Sequence, residues 1–96
     1  MGVFCVRNVV NRKALVGSSV DLLAMLNRQQ FQLELGSHPN RRLQGEWNEL
    51  GPNAFRFEVL DTLVPANKPD YDPTDDLRTL EAMWRDTISR ECEIYK

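Results

Sequence analysis

The sequence predicts an α+β domain, a small three-stranded antiparallel sheet flanked by helices, in the order strand, strand, helix, helix, strand, helix. Three observations predict it. Residues 2–16 form two short apolar runs bent around Asn11-Arg12-Lys13, three helical patterns with recognisable caps follow, and "FRFEVL" alternates apolar and charged residues before the last of them. A chain of 96 residues is expected to form one domain, residues 1–96, at a size that buries about 60–65% of its unfolded surface.

Each element has its own reason. "GVFCVRN" is apolar on both faces, as a strand covered from both sides would be. Asn11-Arg12 turns the chain and Ala14 to Val16 returns it; Arg is a poor second turn residue, so a longer or bulged connection is expected. The strands are placed at 2–8 and 13–17. Gly17 ends the hairpin, and Ser18 or Ser19 is expected to cap a helix near 20–35, with Asp21 suiting its positive end. Leu22, Leu26 and Leu33, with Leu23 alongside, form its apolar face until Gly36. Asn40 caps a second helix near 40–50 whose Leu43, Trp47 and Leu50 share one face. Gly45, inside that helix, costs about 1 kcal/mol relative to Ala and is read as marking a close approach.

Phe55, Phe57 and Val59 alternate with Arg56 and Glu58, which places a third strand at 54–60 with Phe55, Phe57 and Val59 facing the core. Residues 61–73, with Pro65, Pro69 and Pro73, read as an irregular Pro-rich loop. Thr74 is expected to cap the last helix, near 74–88, with Asp75 and Asp76 in its first turn and Leu77, Leu80, Trp84 and Ile88 as its stripe.

No apolar run approaches the roughly 20 residues that cross a bilayer, and no leader pattern opens the chain, so no membrane partner and a cytoplasmic location are expected. Cys5 and Cys92 lack close partner spacing and read as free thiols; with a single His in the chain no Cys/His zinc set can form. Charge is uneven. Residues 1–56 carry +3 and the remainder −5, so any polyanion contact belongs to the first half, where Arg28, Arg41 and Arg42 are the candidates. Arg41 and Arg42 open a helix, where cations oppose the dipole; they read either as phosphate ligands or as ordinary solubilising charge. Trp47 and Trp84 fit apolar stripes and are expected in the core rather than as base-stacking platforms.

"GVF", followed ten residues later by "LVGSS", then "LQGEWNELGPNAFRFEVLD" and "LEAMW", resembles the GIY-YIG nuclease family in order, spacing and turn chemistry over residues 2 to about 88. The resemblance implies the same three-stranded sheet with flanking helices, and divalent-metal-dependent cleavage of DNA phosphodiesters. It implies a tyrosine from each hairpin strand, an arginine and usually a histidine or tyrosine from the first helix, and a glutamate holding one divalent metal, Mg²⁺ or Mn²⁺. Here the tyrosine positions are Phe4 and Leu15, the arginine position is Met25 and the histidine position is Gln29; Glu81 alone keeps the family's residue, as the implied metal ligand. Without the match, Glu81 on a polar helix face reads as solvated surface.

A phosphodiester hydrolase must deprotonate water, neutralise the charge growing on phosphate and stabilise the departing oxygen, and loss of one oxyanion donor typically costs about 10²–10³-fold. The reading is therefore a nuclease-like domain with a degraded site and weak, salt-sensitive contact with nucleic acid. The first alternative is a working endonuclease with a relocated site, in which Arg28, three residues beyond Met25, acts with Glu81, and His38 or Tyr71 replaces a lost hydroxyl or imidazole. His38 otherwise reads as loop or cap packing. The second alternative is a protein-interaction module that keeps only the fold.

Overall fold

The structure is a computed structural model that describes residues 1–64, 70 and 72–95. Its elements are β1 (Gly2–Asn8), β2 (Lys13–Ser19), α1 (Leu22–Leu35), α2 (Arg41–Leu50), a 3-10 turn (Pro52–Ala54), β3 (Phe55–Thr62), α3 (Thr74–Ser89) and β4 (Glu93–Ile94). The sheet order is β3-β1-β2-β4. β1 pairs antiparallel with β2 on one edge and with β3 on the other, as the hairpin and the alternation in 55–60 predict. The fourth strand is the departure: Glu93 and Ile94 pair in parallel with Lys13 and Ala14, making the sheet mixed. Two residues carry no periodicity, so nothing in the pattern marks them as a strand.

β1 is covered on both faces. Phe4 and Val6 point into a core with Leu33 of α1, Leu43 and Trp47 of α2, Phe55 and Tyr95, against which Leu22, Met25 and Leu26 also pack. Val3 and Cys5 point the other way, into a core with Ala14, Val16, Ile88 and Cys92, flanked by Leu80 and Trp84 of α3. Both tryptophans are packing residues. Trp47 lies 5.2 Å from the Phe55 ring and 6.2 Å from the Phe57 ring, and half-buried Trp84 donates its Nε1–H to Asp61 at 3.1 Å. Cys5 and Cys92 are buried free thiols of one cluster, and burial pushes the Cys5 thiol up to about 12.

Several local expectations give way to neighbouring groups. The hairpin needs residues 9–12, with Arg12 at φ 55 taking the left-handed position; Asn8 Oδ1 holds the turn by accepting the N–H groups of Val10 and Asn11, each at 3.0 Å. Asp21, not Ser18 or Ser19, caps α1 by accepting the Ala24 N–H at 3.1 Å, because Ser19 folds onto the Asp21 backbone and Ser18 reaches α3. Leu23 is 72% exposed, outside the apolar face assigned to it. Asn40 caps α2 as expected, through the Leu43 N–H. Gly45 marks no close approach: a Cβ there would meet nothing within 4 Å. Val59 is 49% exposed, on β3, an edge strand of the sheet.

Pro73 takes the N-cap position of α3; Thr74 lies inside the first turn, and Asp72 accepts both its N–H at 3.0 Å and its hydroxyl at 2.6 Å. Of the loop expected at 61–73, Asp61 and Thr62 continue β3, while Pro65 and Pro69 lie outside the described residues. Among the described residues no helix is long and apolar enough to cross a membrane.

Two glycines are fixed by space. Gly2 has the Asp61 backbone against the place where a Cβ would stand, so β3 can approach only a bare backbone. Gly17 faces Phe4 across the hairpin, and a Cβ there would lie 2.6 Å from the Phe4 ring. Gly17→Ala is therefore expected to destabilise the domain by about 1–3 kcal/mol, because Phe4 is buried and has nowhere to move. Urea unfolding checks this. The double variant Gly17→Ala/Phe4→Leu should recover part of the loss, and purely additive effects would show that the ring does not sense residue 17.

Candidate functional site

The positions singled out by the sequence fall into three groups. Phe4, Leu15 and Met25 come together: the Phe4 ring lies over Gly17, Leu15 stands opposite Val6, and both Leu15 and Met25 pack against the core that contains Phe4. None of the three carries a polar hydrogen or a charge. Gln29, one turn beyond Met25, turns its Nε2 to the Met25 Sδ at 3.6 Å and its Oε1 to the Nε2 of His38.

His38 is buried and fully engaged. Its Nδ1 accepts the Asn40 N–H at 3.0 Å, so the ring proton sits on Nε2 and is donated to Gln29. Its own backbone N–H bonds Gln44 Oε1 at 3.0 Å, and Gln44 Nε2 returns to the Leu33 carbonyl and to Asn48, each at 3.0 Å. Burial holds the imidazole below its ordinary pKa. The result is a neutral polar clasp between α1, the 36–40 loop and α2. It offers a phosphate neither a free base nor a positive charge.

Glu81 stands elsewhere. Ser18 shares its sheet face with Ala14 and Val16, the face that α3 covers, and its hydroxyl donates to Glu81 Oε1 at 3.0 Å. Arg85 bonds the other oxygen at 2.9 Å and donates to the Val16 carbonyl at 3.2 Å. As a donor set for a divalent ion this does not fit. It is a single carboxylate with one oxygen on a hydroxyl and the other on a guanidinium, and among the described residues no three His, Cys, Asp or Glu side chains converge. A cleft of about 320 Å³ opens beside it, with Ser18, Ser19, Thr74 and Arg78 on its walls. Arg85 follows Glu81 by four residues, and that i,i+4 spacing is the signal in the sequence for this helix ion pair.

Arg28, Arg41 and Arg42 are exposed. Arg28 is rotated out of the buried side of α1 that holds Met25. Arg41 and Arg42 form the first turn of α2, which contains no acidic residue. Tyr71, the other residue of the relocated-site alternative, lies outside the described residues.

A second polar cluster, unforeseen in the sequence, lies at the hairpin end of the sheet. The Glu46 carboxylate of α2 receives the side-chain amides of Asn8 and Asn11 and lies 3.5 Å from Lys13 Nζ, while Asn8 also reaches the Tyr95 hydroxyl at 3.2 Å. Burial raises the Tyr95 phenol well above its usual range, so it stays protonated. The signal was present: Glu46 follows Leu43 by three and precedes Leu50 by four, which puts it on the buried side of α2. The cluster is structural in its contacts, joining hairpin turn, α2 and the residue after β4.

Two solved structures have this fold. The catalytic domain of the homing endonuclease I-TevI is 23% identical, aligns over 99% of this chain and 97% of its own, and gives a TM-score of 0.75. A single-site mutant of the catalytic domain of the intron endonuclease I-TevI, also 23% identical, aligns over 99% and 90% with a TM-score of 0.76. No family model and no curated protein sequence matches the chain. The fold is thus GIY-YIG-like, as the sequence resemblance implies.

The His38 clasp has a pH signature. Its folded-state pKa is lowered, so below the unfolded value of about 6.5 the unfolded chain binds the extra proton, and the contribution of neutral His38 to stability fades as pH falls. Urea midpoints measured between about pH 7.5 and 5 should drop more steeply in the wild type than in His38→Asn, and ¹⁵N NMR should show the Nε2–H tautomer. An imidazole titrating above 6.5 would contradict the geometry.

Proposed function

On this GIY-YIG-like fold, we propose that the chain is a nuclease-fold domain whose hydrolytic site has been given over to packing, and that it holds nucleic acid through phosphate contacts at Arg41 and Arg42. One observation carries the first half. The buried Phe4 ring fills the space over Gly17, and partly buried Leu15 and Met25 pack against the same apolar core, so the positions where the resemblance implies two hydroxyls and a cation offer a phosphate neither a polar hydrogen nor a charge. The environment of Glu81 supports the same reading, because the charge a metal would neutralise is already met by Arg85. The second half is supported by charge placement: two adjacent exposed guanidiniums stand at a helix start, on the basic half of the chain, in a fold whose solved relatives are endonucleases.

With Mg²⁺ or Mn²⁺, purified protein is expected to leave plasmid and oligonucleotide DNA uncut. Cleavage that disappears in both Glu81→Ala and Arg28→Ala would establish the relocated site instead.

Binding is tested separately. Short DNA or RNA should bind weakly at low ionic strength and be released steeply as salt rises, since each neutralised phosphate returns counterions to solution. Replacing Arg41 and Arg42 with alanine should flatten the salt dependence by roughly one unit for each phosphate no longer neutralised, with little change in sequence preference. Identical titrations for wild type and double variant would exclude these two residues from the interface. Absence of binding at low salt would leave a protein-interaction module as the reading.

A further inference from the structure

A cleft of about 500 Å³ opens at the hairpin end of the sheet, where the turn after β1 meets the end of α3. Arginines from three separate segments line it: Arg7 of β1, Arg12 of the turn and Arg90 at the C-terminus of α3. Val9 and Cys92 add apolar wall, and Glu91 is the one carboxylate of the lining, so two positive charges stand in excess. Glu58 and Asp86, which pair with Arg7 and Arg90, are not part of the lining.

These guanidiniums have donors to spare. Arg12 has no ion-pair partner among the described residues, and it sits at φ 55, a backbone state that glycine takes with less strain. Arg90 holds only Asp86, in an exposed i,i+4 pair of the kind that contributes little and is easily exchanged. Arg7 Nε lies 3.3 Å from Glu58 yet is buried without a hydrogen bond, and Arg7 Nη1 makes two long contacts, 3.6 Å to Glu91 and 3.8 Å to Cys92 Sγ. The backbone beneath them is pinned. Glu93 donates its N–H to the Arg12 carbonyl at 2.8 Å, Val9 donates to the Ala54 carbonyl at 2.9 Å, and the Ile88 carbonyl at the end of α3 is taken by the N–H groups of Glu91 and Cys92.

We propose that this cleft binds a terminal phosphate dianion, either free phosphate or the end group of a phosphate monoester. The donor set selects that chemistry. A terminal phosphate has three oxygens and two negative charges, one oxygen for each guanidinium and a charge equal to the excess in the lining. A carboxylate has two oxygens and one charge, and so does the diester phosphate inside a nucleic-acid strand. The volume lies within the range of small-ligand sites and leaves room beside the phosphate for the group it carries. Because the site shares no residue with Arg41 and Arg42, it stands or falls apart from the phosphate contacts proposed there.

Titration of the full chain with inorganic phosphate at low ionic strength, followed by ¹H–¹⁵N NMR, tests the site. The backbone signals of Val9, Arg12, Glu91 and Cys92 should shift together and saturate. Arg12→Gly should weaken phosphate about tenfold without lowering the thermal midpoint, since glycine suits the left-handed position and only the guanidinium is lost. Arg90→Gln should weaken it similarly, and Arg41→Ala/Arg42→Ala should titrate as the wild type does. Absence of saturable shifts in the cleft residues overturns the inference, as does an Arg12→Gly variant that binds phosphate as the wild type does. Two oligothymidines, one with a 5′-phosphate and one with a 5′-hydroxyl, separate the sources. Tighter binding of the phosphorylated one, lost in Arg12→Gly, assigns the site to a nucleic-acid end, whereas equal binding of the two beside saturable inorganic phosphate assigns it to a small phosphorylated molecule.

Discussion

β1 is hydrogen-bonded along both edges and packed on both faces, and each layer of the fold is positioned by that double enclosure. A strand so placed has no surface on which to display a functional group unless space is left open above it. Its alternate residues serve two separate cores: Phe4 and Val6 belong to the α1 and α2 side, Val3 and Cys5 to the α3 side. The sequence of β1 is accordingly apolar without alternation, which is what a covered central strand requires.

This constraint explains why the apolar residues at positions 4, 15 and 25 extend the core. A hydroxyl under this roof would need a partner or a water; an aromatic ring and two aliphatic chains need only volume, and the bare backbone at Gly17 supplies it. Gln29 and His38 are accommodated by the opposite device, in which each polar atom finds another and the group as a whole stays neutral. Glu81 follows the same logic on the far face, through Ser18 and Arg85. Gln29, His38 and Glu81 thus each have their polar atoms met by a neighbouring side chain or backbone group.

Legibility followed the range of the interactions. The hairpin, the Asn40 cap, the Leu43–Trp47–Leu50 stripe and the Leu77–Trp84–Ile88 stripe are written in spacings of a few residues and could be read directly. The cap of α1 could not be settled, since Ser18, Ser19 and Asp21 all offer oxygens and the choice depends on Glu81, more than sixty positions away, which draws Ser18 off. β4 exists because Ala14 presents a free edge to the chain after α3, which no local pattern announces. For the site, the chemical character of Phe4, Leu15 and Met25 was plain from residue type, whereas the pairing of Glu81 with Arg85 and the burial of Glu46 among Asn8, Asn11, Lys13 and Tyr95 emerge only when distant segments meet.

The contact between Asn8 and Tyr95 joins residues 87 positions apart, near the two ends of the described fold. During synthesis the hairpin can form as soon as residues 2–19 have emerged, but Asn8 and the Glu46 carboxylate then sit beside an opening that only the segment after α3 can close. Until it arrives, the apolar face carrying Val3, Cys5, Ala14 and Val16 has no cover either, since Ile88 and Cys92 lie in the same late segment. Closure is consequently a long-range step, costly in chain entropy, and the nascent domain depends on it for completing both cores. A growing chain paused before residue 88 would expose a half-built, sticky sheet to chaperones and to its neighbours on the polysome, which makes the pace of synthesis over the last helix a determinant of folding yield.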